Sequence, residues 1–133
     1  MTIIKIKIFL ILIFSLILCV YLNYLLTIVM PWQKKEIIET TLLWGGLNEL
    51  PKNAKFINME KRGSLFTRQF IIEFISKKDD ITNWKNQSKR LKDRIPKIKS
   101  QTELFEIYPG ENGAMGGKVE IEGNKVTINI SWS

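Results

Sequence analysis

The 133-residue sequence contains no histidine and one cysteine, Cys19. Without imidazole, metal centres built on histidine and triads with a histidine base are excluded. Cys19 lies inside a long apolar run, so it supplies neither a soluble nucleophile nor a disulfide, and the lack of disulfides fits either side of a membrane. Charge is missing over one stretch: residues 8–30, IFLILIFSLILCVYLNYLLTIVM, hold no Asp, Glu, Lys or Arg. At a rise of about 1.5 Å per residue, 23 residues cross a hydrocarbon core of about 30 Å with some tilt.

Lys5 and Lys7 precede this run, and Pro31, Trp32, Lys34 and Lys35 follow it. That is the pattern of a membrane-spanning helix with an interfacial aromatic and a proline break at its exit. A cleavable secretory signal begins the same way, but this run exceeds the usual apolar region of about 7–15 residues, and no small-x-small site follows Ile28, Val29 and Met30. Ile17 and Leu18 also differ from the small residues that precede a lipid-modified cysteine. We therefore expect a short basic N-terminus over 1–7 and an uncleaved, single-pass anchor over 8–30. The flanking bases nearly balance, so orientation rests on position. A span this early acts as a signal anchor with the N-terminus inside, which makes the following domain extracytoplasmic. Asn23, the costliest residue of the span to leave in lipid, either bonds a second helix, giving association through the membrane, or bonds locally near the interface beside Tyr21 and Tyr24.

Residues 33–133 carry 18 of the 20 basic residues and all 13 acidic ones, a net charge of +5. About 100 residues suffice for one hydrophobic core. The juxtamembrane segment 31–50 includes QKKEIIETTLLWGG, where Ile37, Ile38, Thr41, Leu42 and Trp44 recur at helical spacing and Gly45 with Gly46 stops the helix. Packing on the domain over 51–133 is expected rather than a place on lipid, because Glu36 and Glu39 oppose an anionic surface. Beyond Pro51 the period falls to two: residues 54–60 and 65–76 read as strands joined at KRGS, with Gly63 free to take a positive φ. Phe66, Arg68, Phe70, Ile72 and Phe74 share one face there. An arginine in a phenylalanine stripe must reach water or an acid. Arg68 thus marks either an anion site or a strand end paired with a glutamate, and the second is expected.

KKDDITNWKNQSKRLKDRIPK returns to helical spacing over 80–95, with Asp79 or Asp80 as N-cap, Ile81, Trp84, Ser88, Leu91 and Ile95 as its apolar stripe, and Pro96 as terminator. The other face is basic: nine lysines and arginines lie between 77 and 99, among them Lys85, Lys89, Arg90 and Lys92, against three aspartates. Such a face suits anionic lipid or an acidic protein. Nucleic acid is not expected, since Trp84 lies on the apolar stripe and not among the bases, where it would stack.

The tail, KVEIEGNKVTINISW, alternates cleanly, and a two-residue turn at Gly123 and Asn124 sets Ile121 opposite Val126, Val119 opposite Ile128, and Glu122 opposite Lys125. ELFEIY, residues 103–108, adds a strand or an extended edge. GENGAMGGK, residues 110–118, has the composition of a phosphate loop but not its order. Asn112 stands where the first glycine belongs, Val119 follows Lys118, and a strand comes next instead of a helix. It reads as a flexible lead into the hairpin. Glu103 with Glu106, or Glu120 with Glu122, are the available carboxylate pairs, and nothing else supports a hydrolase.

The expected fold is α+β: one N-terminal transmembrane helix, then a small antiparallel sheet of about four or five strands packed against one amphipathic helix. The expected function is a non-enzymatic binding or accessory module for a protein partner, held at the lipid bilayer, with Asn23, Arg68, Lys85, Lys89, Arg90 and Lys92 as candidate contacts. The alternative is a lipid-binding or sensor domain working through the basic helix 80–95. No catalytic residues, cofactors or metal ligands are expected.

Overall fold

In the computed structural model, which describes residues 2–63, 66–109 and 114–132, the apolar run forms one helix, α1 (Thr2–Thr27), with no buried residue. Its most apolar stretch has a mean hydropathy of 2.8, and its 26 residues reach about 39 Å, long and apolar enough to cross a membrane. The helix begins before the uncharged stretch and ends short of residue 30. Thr27 Oγ1 donates to the carbonyls of Asn23 and Tyr24 (3.0 and 3.3 Å), and Met30 is extended at φ −75°, ψ 150°. Proline steers the residue before it out of the α region, so the exit is fixed by Pro31. A 3₁₀ turn (Pro31–Gln33) leads into α2 (Lys34–Gly45).

As the helical spacing required, α2 buries Ile37, Thr41, Leu42 and Gly45 and stops at Gly46, whose φ is +62°. Thr41 keeps its buried hydroxyl satisfied by donating to the Ile37 carbonyl at 2.6 Å. At the helix end Trp44 stacks on Trp132, with ring centroids 5.1 Å apart.

Six strands form one antiparallel sheet: β1 (Lys55–Gly63), β2 (Arg68–Ile75), β3 (Lys97–Lys99), β4 (Thr102–Ile107), β5 (Ala114–Glu122) and β6 (Lys125–Trp132). Their order is β1-β2-β6-β5-β4-β3. The count exceeds four or five because of β3, a three-residue strand too short to show alternation. Its turn into β4 uses Ser100 at φ +58°, where the usual signal would be Gly or Asn. The β5–β6 register is the one the alternation required, with Ile121 opposite Val126, Val119 opposite Ile128, and Glu122 opposite Lys125.

One face of the sheet is the core. Val126, Ile128, Ile130 and Trp132 of β6 are buried there with Ile72, Phe74, Phe105, Ile107, Val119 and Ile121. Full burial of each large side chain contributes about 1.5–3 kcal/mol. Beside α2, this face is covered by α3 (Lys78–Gln87), whose Trp84 meets Phe74 edge-on at 5.7 Å and donates Nε1–H to the Asn48 carbonyl at 2.9 Å. The opposite face is polar, and Gln69 Nε2 donates to Asn129 Oδ1 across it at 2.8 Å.

Three expectations are corrected here. The helix expected over 80–95 is shorter and begins after Lys77, not at an aspartate. Ser88 ends it at φ −78°, ψ 115°, since its Oγ donates to the Trp84 carbonyl (2.8 Å) and accepts from the Asn48 N–H (3.0 Å). Turns beyond Ser88 still carry Leu91 into the core, but Ile95, read as part of the apolar stripe, is 95% exposed. Phe66 likewise leaves the phenylalanine stripe, because it precedes β2 and is 82% exposed. The glycine-rich stretch is partly strand, since Gly116 and Gly117 belong to β5. A Cβ at Gly117 would collide with the Asn129 carbonyl and stand 2.8 Å from Ile130 Cδ1, so close pairing with β6 demands glycine there. Residues 110–113 and 64–65 lie outside the described residues, and the first three residues of KRGS, Lys61 to Gly63, belong to β1.

Candidate interaction surfaces

The six candidate residues do not gather at one place. Asn23 is exposed on α1, and its amide has no partner among the described residues. Arg68 opens β2 opposite Gly63 and Trp132, exposed at a strand end as expected. The glutamate partner is not found, since no carboxylate pairs with Arg68 among the described residues. Lys85 is turned inward: its Nζ lies 3.3 Å from Glu103 Oε2 and 5.8 Å from the centre of the Phe105 ring. Arg90 is also engaged, its N–H donating to the Gly46 carbonyl at 3.2 Å and its guanidinium to the Tyr108 carbonyl at 3.4 Å. Lys89 and Lys92 are exposed. The basic face therefore divides into side chains that brace the fold and side chains that meet water.

The bracing has a common target, the edge of β4. β3 pairs with β4 only from Thr102 to Leu104. Past that point Arg94 Nη1 donates to the Glu106 carbonyl, as Arg90 does to that of Tyr108. Guanidinium groups thus occupy the carbonyls of Glu106 in β4 and of Tyr108 just past its end, beyond the stretch that β3 pairs. Arg94 also lies over the Tyr108 ring at 5.3 Å. Lys97 Nζ donates to both carboxylate oxygens of Glu106 (3.1 and 3.0 Å), and Tyr108 Oη donates to Oε2 at 3.0 Å. The Lys97 hydrogen bond, then that of Tyr108, holds the Glu106 carboxyl below the usual carboxylate range, and Glu106 in turn raises Lys97. Glu103 and Glu106 fall on opposite sheet faces, and Glu120 accepts from Lys118 at 2.9 Å, so neither carboxylate pair is assembled as a dyad. Among the described residues no cluster of three His, Cys, Asp or Glu side chains could hold a metal ion.

What remains open is β3. It is an edge strand of the sheet, and Ile98 at its centre is 65% exposed, with Ile95 exposed just before it. Tyr108, 61% exposed, lies beside Ile95, Arg94 and Lys97 around a shallow depression. Lys97 and Lys99 bracket Ile98. These isoleucines are absent from the six candidates because Ile95 falls on the helical period and Ile98 belongs to an unread strand. The signal that could have found them is the run Pro96-Lys97-Ile98-Lys99, a brief alternation after a proline, which is how a short edge strand reads. No protein-family model, curated protein or solved structure matches this chain.

Proposed function

We propose that the chain is a membrane-anchored, non-enzymatic binding module that engages an acidic protein segment along the β3 edge. The observation that carries this reading is the pair of exposed isoleucines, Ile95 and Ile98, at an unpaired sheet edge flanked by Lys97 and Lys99. An extended peptide adds to such an edge through main-chain hydrogen bonds, and pockets for its alternate side chains supply specificity. Singly exposed apolar residues are ordinary; their coincidence with a free edge and a cluster of bases is what supports a docking role. Lysines on edge strands also discourage pairing with a like strand. A second copy of β3 would set lysine against lysine; Lys97 is held by Glu106, but Lys99 pairs with no carboxylate among the described residues, and a strand bearing Asp or Glu beside it would relieve its charge, so the partner is acidic. The tether is α1. With the N-terminus inside, the sheet domain is extracytoplasmic, an orientation supported by the early position of the span.

The test is crosslinking in the native membrane from a photoreactive residue placed at Ile98 of the full-length chain. A defined protein adduct at Ile98, absent when the label sits at Ile57 on the opposite edge and weakened by Lys99→Glu, is the expected result. Equal adducts from both edges, or adducts to lipid alone, overturn the proposal.

A further inference from the structure

We infer that the groove where α1 meets β1 is a binding site for one anionic phospholipid, its phosphate on Lys34 and its first acyl methylenes against Ile28, Phe56 and Ile57. The inference rests on α1 being a membrane span. The groove lies between the end of α1, the first turns of α2 and residues 56–59 of β1, and its volume is about 470 Å³. That is within the range of about 300–1,000 Å³ typical of small-molecule sites. It is also at the far edge of the sheet from β3, so it is separate from the surface proposed for the protein partner.

Two features make it a built site and not a gap beside a loose linker. Val29 and Met59 pack against the hydrophobic core and give the groove a fixed floor. Gln33 Oε1 accepts from the Met30 N–H at 3.2 Å and from Lys61 Nζ at 3.1 Å, which pins the exit of α1 to β1. The wall is apolar for a local reason. The register of β1 shifts between Phe56 and Asn58, so Ile57 is a bulge residue, and both Phe56 and Ile57 are about half exposed. Bulges at sheet edges re-aim side chains, and here two large apolar ones line the groove at the level where the apolar helix ends.

The charge has the matching sign. Lys35 reaches Glu39 at 3.8 Å, but no carboxylate pairs with Lys34 among the described residues, and Lys34 lines the groove. An unpaired ammonium above an apolar floor, at the depth where a span emerges, complements a molecule with a phosphate at the interface and chains directed inward. A bilayer presents that molecule at high local concentration on every side of α1, which favours lipid over a protein strand at this edge.

The experiment uses the full-length chain in nanodiscs of phosphatidylcholine with phosphatidylglycerol as the minority lipid, followed by native mass spectrometry. Phosphatidylglycerol is expected to remain bound above its bulk share. Lys34→Gln should lower that enrichment about fivefold, the effect of one base at an anionic surface, while Lys35→Gln leaves it unchanged. Phe56→Asp, a change at a half-exposed position, should weaken retention of both lipids. Retention that follows the bulk lipid ratio, or equal loss with Lys34→Gln and Lys35→Gln, overturns the inference. Flotation of the same protein with vesicles separates two failures. A chain that floats without lipid preference defeats the groove alone, and a chain that stays in solution defeats the span and the groove together.

Discussion

At Gly117 one methyl group decides whether β5 can lie against β6. An added Cβ meets the Asn129 carbonyl, which belongs to the paired backbone and cannot swing away. Gly117→Ala is expected to cost about 1–3 kcal/mol in denaturant unfolding of the detergent-solubilised protein, the usual effect of overpacking. Gly123 offers the contrast: nothing lies within 4 Å of its Cβ position, but its φ is +61°. Alanine there should cost about 1 kcal/mol, and asparagine, which tolerates the left-handed region, close to nothing. Charge is readable at the same scale. Glu106 has a lowered pKa, so its contribution to stability is fully present above its ordinary value of about 4.3 and is lost as pH falls through the lowered one. Lys97, with a raised pKa, contributes below its ordinary value of about 10.4 and ceases to as pH rises through the raised one. In an NMR titration, Lys97→Gln should return the Glu106 carboxyl most of the way to the ordinary range; an unmoved titration would mean that the Tyr108 hydroxyl is the dominant cause. Arg90 and Arg94 mark the limit of what spacing reveals about single residues. Both read as members of a basic face, yet each donates to a β4-side carbonyl 12 to 18 positions further along the chain, a relation that only the folded backbone creates.

Among the elements, the β5–β6 hairpin was legible to the level of register because two independent signals agree: a period of two on both sides and a two-residue turn between them. The α2 helix was legible for a similar reason, its apolar spacing ending at a glycine in the left-handed region. The 80–95 segment was legible only in part. Its helical period is real through Trp84, but Ser88 spends its hydroxyl on the loop after α2, and that contact ends the helix. Ser88→Ala should therefore loosen α3 from that loop and cost about 1–3 kcal/mol, the price of an unsatisfied buried N–H. Trp84→Phe, which keeps a ring against Phe74 but orphans the Asn48 carbonyl, should cost a similar amount, and Trp84→Ala about 3–5 kcal/mol. Thermal unfolding resolves these, since about 1 kcal/mol moves the midpoint by about 4–8 °C in a domain of this size. A midpoint for Trp84→Phe equal to that of the wild type would show that the indole hydrogen bond contributes nothing.

For the whole molecule, α1 is joined to the sheet domain only at its end. Since α1 has no buried residue, removing residues 2–27 should leave the core intact. Hydrogen exchange is expected to stay slow in β6 and β5 and to quicken in β1, where Gln33 and Val29 pin the exit of α1 against the sheet. Fast exchange in β6 after truncation would mean that α1 supports the core after all. The position of β6 has one more consequence. It is the last of the six strands in sequence, yet it lies between β2 and β5 and pairs with both. A ribosome therefore delivers the β1–β2 hairpin and the β3–β5 meander before the strand that joins them exists. Until then neither half has its central partner, and the pairing that completes the sheet spans most of the domain, which makes it slow to form. Strand order thus makes closure of the sheet the last step in the domain's folding, taken when β6 arrives between two halves already synthesised.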